Sequence, residues 1–122
     1  MATKKEVEDG KICALLSYLI IGIIWYFVDD KMKKNQFAKF HTQQSLVLVL
    51  FSVIVSILNS ILSAIITVIA VVTMGVGSVL MIIPLLISFI PMVFWIMGIV
   101  YSLQGKEKEL PWIGQYGKKL KI

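Results

Sequence analysis

From Gln44 to Leu103 the chain carries no ionisable side chain except Tyr101. A charge at the centre of a bilayer costs about 2.5 to 3.5 kcal/mol on insertion scales, so membrane-spanning segments exclude charge in this way. All twelve lysines, and the acidic residues with them, fall before residue 12, between 29 and 41, or after 104. The 122 residues amount to one domain by length. A composition 58% hydrophobic and 16% charged is too apolar for a water-soluble domain of that size, whose surface must be wetted. The lipid bilayer is therefore the expected solvent, with residues 1–122 forming a single integral membrane domain.

Three apolar runs follow from this. The first, residues 12–28, would rise about 25 Å as a helix, short for a hydrocarbon core of about 30 Å, with Lys11 snorkelling at one end and Trp25 and Tyr26 near the other. The second and third, residues 45–72 and 79–103, are each long enough to cross once. The expected fold class is all-α: a polytopic membrane protein with three transmembrane helices, the third kinked by Pro84 and Pro91. Thr73, Gly75, Gly77 and Ser78 supply the turn between the last two spans. Short interfacial segments are expected before the second span and in the tail, residues 106–122. Gly105 is placed to cap the third helix in the left-handed region, and Pro111 to start a new turn.

Lysine distribution predicts orientation. With three spans, the connection 29–41 and the C-terminal tail share a side, and that side carries Lys31, Lys33, Lys34, Lys118, Lys119 and Lys121 among others. The positive-inside rule puts these in the cytoplasm and the N-terminus outside, in a multi-pass protein of the cell membrane. Beside hydrophobic segments such lysines point to anionic headgroups as partners. The complete absence of arginine argues against nucleic acid, which is read by bidentate guanidinium contacts.

One histidine and one cysteine cannot assemble a metal centre or an activated nucleophile, and no glycine-rich phosphate loop is present. No cofactor and no catalytic residue is expected. The polar residues that remain are ordered. Ser45, Ser52, Ser56, Asn59, Ser63 and Thr67 fall within about 40° of one line on the second helix, and His41 extends that line. Pro84, Ser88, Pro91 and Gly98 lie on one face of the third helix. Small and hydroxyl residues let helices approach closely in lipid, so both stripes read as packing faces; the functional alternative is a polar path lined by the second helix. Ser88 is a candidate to satisfy the carbonyls freed by the prolines. His41 is expected to hydrogen-bond across to a loop, with Asp29 or Asp30 as partner, or to sense pH.

The entry Phe37-Ala-Lys-Phe-His41-Thr-Gln-Gln44-Ser and the exit Gly105-Lys-Glu-Lys-Glu-Leu-Pro111 together resemble a family of small prokaryotic membrane proteins of unknown function. That family is similar to the Tic-twenty component of the chloroplast inner-envelope import machinery. The resemblance rests on Phe37, His41 and Gln44 at the entry and on Gly105 and Pro111 at the exit. It implies a helical membrane fold and, in plastids, membership of a protein-translocation complex. The function expected is non-enzymatic, by association, as a subunit or accessory factor of a membrane complex. The alternatives are a homo-oligomeric channel or translocation pore, and an anionic-lipid-binding membrane module.

Overall fold

The computed structural model describes residues 2–122. Among them every regular element is helical: α1 (Lys4–Ser17), α2 (Ile21–Val28), α3 (Asp30–Lys33), α4 (Gln36–Val72), a 3-10 segment (Val76–Met81), α5 (Ile82–Leu103) and a second 3-10 segment (Gly114–Lys119). The all-α expectation holds. Two stretches, Gln36–Val72 and Val76–Leu103, are long and apolar enough to cross a membrane. Only 17% and 11% of their most apolar portions are buried within the chain, whereas the core helix of a water-soluble protein would be mostly covered. They form an antiparallel pair, since Phe51 meets Phe94 and Asn59 meets Pro84.

The first apolar run does not make the expected third span. Its helix begins early, at Lys4, because Thr3 and Glu6 close a reciprocal capping box. It then ends at Ser17, and the chain reverses through Tyr18–Ile20, with Ile20 at φ 72°. α2 folds back against α1: the Gly22 Cα lies directly against the Ser17 amide and the Cys13 carbonyl, an approach that any side chain would block. The Cys13 thiol reaches the Gly22 carbonyl at 3.5 Å. Eight residues of α2 rise about 12 Å, far below the roughly 30 Å of a hydrocarbon core. Two helices, not three, are therefore long and apolar enough to span, and residues 12–28 form a helical hairpin.

This reversal also overturns the expected separation of the termini. Asn35 donates from Nδ2 to the Glu6 carbonyl at 2.9 Å, and the Gln36 amide donates to Glu6 Oε2 at 2.8 Å. The Ala2 amide donates to Glu107 Oε1 at 2.8 Å. The N-terminal helix, the 29–35 connection and the start of the C-terminal tail consequently share one end of the molecule. Eleven of the twelve lysines belong to the N-terminal helix, the 29–35 connection or the C-terminal tail, and Lys39 lies in the first turn of α4 beside them.

Both prolines of the third apolar run lie in α5. Pro84 falls in the first turn of α5, which continues the 3-10 segment before it without a break. Pro91 is the interior proline, and α5 continues past it to Leu103. Ser88 donates to the Leu85 carbonyl at 2.6 Å rather than to a carbonyl freed by proline. The turn between α4 and α5 uses Gly75 at φ 95°, and Gly105 caps α5 at φ 70° as expected.

Candidate functional site

His41 lies in the second turn of α4 and is fully buried. Its Nδ1 stands 2.8 Å from the Tyr18 hydroxyl and its Nε2 2.8 Å from the Lys106 carbonyl. A carbonyl only accepts, which assigns the proton to Nε2; the neutral ring then takes the Tyr18 proton at Nδ1. The rings of Phe37, Phe40 and Tyr18 meet the imidazole edge-on, at centroid distances of 4.7, 5.2 and 5.7 Å. The expected partners, Asp29 and Asp30, are not there. Asp29 instead caps α3 and accepts from the Trp25 indole at 3.0 Å, which holds its carboxyl below the usual range.

One turn further along α4, Gln44 is clamped in the same way. Its Nε2 donates to the Gly114 carbonyl at 2.9 Å and its Oε1 accepts from the Leu110 amide at 3.0 Å. Gly114 and Gly117 press on that carboxamide so closely that a Cβ on either would sit on a Gln44 amide atom. The neighbouring Gln43 donates to the Leu120 carbonyl at 2.8 Å. Entry residues His41 and Gln44 thus bind directly to the exit segment from Lys106 to Gly117, with Phe37 packed on the His41 ring and Gly105 turning the chain toward them. No family model, curated protein or solved structure matches this chain. The site therefore has to be read from its own geometry.

That geometry is a knot of three segments with every ring nitrogen and carboxamide atom of His41 and Gln44 spent internally. Ser17 adds to it, its hydroxyl lying 2.6 Å from the Ala14 carbonyl and 3.3 Å from that of His41. Sequence reasoning missed Tyr18, Ser17 and the Gly114/Gly117 pair. The signals available were the Thr3-x-x-Glu6 capping box, which extends α1 past the apolar run, and two glycines three residues apart.

The polar stripe of α4 is divided. Asn59 is its anchor: Nδ2 donates to the Pro84 carbonyl at 3.0 Å, while Oδ1 is buried without a partner. Thr67 turns its hydroxyl back to the Ser63 carbonyl at 2.8 Å. Gly98 of α5 packs not on α4 but under the Tyr18 ring. Ser52 and Ser56, with Pro91 and Trp95, line an open groove of about 660 Å³ beneath the tip of the α1–α2 hairpin. Thr67 and Ser88 are exposed. The stripe thus lines no closed path within one copy.

The charged end carries Lys31, Lys33 and Lys34 around α3 and Lys118, Lys119 and Lys121 in the tail, all exposed. Lys118 pairs with Glu109 at 2.9 Å, and Lys119 lies 5.2 Å from the centre of the Tyr116 ring. Glu6 accepts from the Gln36 and Thr3 amides, and those bonds, Gln36 first, hold its carboxyl below 4.5.

Proposed function

We propose that this chain is a non-enzymatic integral membrane protein that works by association, as a subunit or accessory factor of a membrane complex. α4 and α5 cross the bilayer, the α1–α2 hairpin enters and returns, and both termini face the cytoplasm. Placing all twelve lysines on the inner side satisfies the positive-inside rule more fully than a three-span arrangement, which would leave three lysines outside.

The observation that carries the association reading is the groove between the hairpin tip and the α4–α5 pair. It is walled by Val49, Val53, Ile57 and Ile96 and carries the Ser52 and Ser56 hydroxyls, the composition that lets a partner's helix approach closely in lipid. The polar residues most able to do chemistry are meanwhile consumed in holding the cytoplasmic cap together. The resemblance to the Tic-twenty-like family agrees with membership of a membrane assembly. Photo-crosslinking from position 56 in native membranes is expected to yield one discrete heteromeric adduct. Recovery of lipid adducts alone would overturn the reading. A homo-oligomeric pore is the second reading, favoured by the unpartnered Asn59 Oδ1. It requires a reproducible conductance in liposomes that Asn59→Leu alters.

A further inference from the structure

On the side of α4 away from the α1–α2 hairpin, two concavities follow one another along a single helix face. The upper one, about 670 Å³, is polar and mixed in charge, lined by Lys39, Gln43, Glu107, Glu109 and Lys118. The lower one, about 280 Å³, is apolar, lined by Val47, Leu50, Ile54, Ile113 and Leu120. Gln36, Phe40, Gln43, Val47, Leu50 and Ile54 recur every three or four residues, so both concavities share one stripe of α4. The tail supplies the opposite wall of each, and the Gln43–Leu120 hydrogen bond marks the level where polar lining gives way to apolar.

We propose that this composite groove seats one aminophospholipid of the phosphatidylethanolamine class, its headgroup among the charges and one acyl chain along α4. The inference rests on the bilayer placement proposed above. From Gln43 to Ile54 the helix rises about 16 Å, roughly half of a 30 Å hydrocarbon core and thus the depth of one leaflet. The charge pattern selects the headgroup. Two lysines and two carboxylates balance, and Lys39 makes no ion pair among the described residues, leaving its ammonium for a phosphate. Glu109 Oε1 lies 2.9 Å from the Lys118 ammonium yet is buried without a hydrogen-bond partner, which leaves it to accept an ethanolamine N–H. A choline headgroup has no N–H to donate, and a purely anionic headgroup would meet both carboxylates.

The test is native mass spectrometry of the full chain, purified in detergent and offered phosphatidylethanolamine, phosphatidylcholine and phosphatidylglycerol in equal amounts. Phosphatidylethanolamine adducts should exceed each of the others about tenfold, the factor that one charge-assisted hydrogen bond supplies. Glu109→Gln should erase that preference, Lys39→Gln should weaken binding of all three lipids alike, and Leu50→Trp, which fills the lower groove at an exposed position, should reduce binding of the whole lipid with helix content unchanged by circular dichroism. Equal or stronger retention of phosphatidylglycerol overturns the proposal, as does indifference to all three variants or equal binding of free phosphoethanolamine. Recovery of the chain from cells in soluble form without detergent would instead sink the bilayer placement, so the two failures are distinguishable.

Discussion

The Tyr18 hydroxyl meets His41 Nδ1 at 2.8 Å, joining the turn that ends α1 to the second turn of α4. Because His41 Nε2 holds the Lys106 carbonyl at the same distance, this one imidazole ties together three segments far apart in the chain. Tyr18→Phe keeps the ring that packs on Gly98 but leaves a buried nitrogen without its partner. It is expected to destabilise the fold by about 1 to 3 kcal/mol, the usual cost of a buried unsatisfied polar group. Thermal unfolding in detergent measures it; an unchanged midpoint would show that the bond contributes nothing.

Gly22 decides whether residues 12–28 fold back. A Cβ there would collide with the backbone of Ser17 and Cys13, which cannot move aside as a flexible side chain can. Gly22→Val should open the hairpin, at an overpacking cost on the order of 1 to 3 kcal/mol. Cys13 is fully buried and is the chain's one cysteine, so its reaction with a maleimide reports the event. Slow labelling in the native protein and fast labelling in the variant are expected.

Gly114→Ala and Gln44→Ala should release the tail from α4 to similar extents, because both break the same two hydrogen bonds, each contributing about 0.5 to 1.5 kcal/mol. The double variant should be little worse than either single one, as expected for residues acting through one contact. Trypsin cleavage after Lys118 and Lys119 provides the readout, with cleavage accelerated equally in all three. Additive effects would separate the two residues.

Acid should loosen the N-terminal clamp. The Glu6 carboxyl is held below its ordinary value by the Gln36 amide, then by Thr3. A depressed folded value means that the stabilisation is fully present above the ordinary value of 4.5 and is lost as pH falls through the lowered one. Hydrogen exchange at the Gln36 amide, corrected for its intrinsic pH dependence, should therefore rise below pH 4.5 in the native protein. Glu6→Gln should show no such step.

Local chemistry determined much of this protein. The charge-free stretch from Gln44 to Leu103 and the glycines at 75 and 105 specify two long apolar helices, the turn between them and the cap that ends the second. Those features depend only on neighbouring residues and on the cost of charge in hydrocarbon. Whether residues 12–28 run straight or reverse was not legible, because apolar length permits both. The outcome rests on Gly22 meeting Cys13 across the turn and on Tyr18 meeting His41, a contact that exists only once α4 is in place. The same holds for the site. The entry and exit motifs were visible as separate strings, but their mutual binding through His41, Gln44 and Gly114 required the tail to return across α4, and only tertiary packing brings residues so distant in sequence within 3 Å.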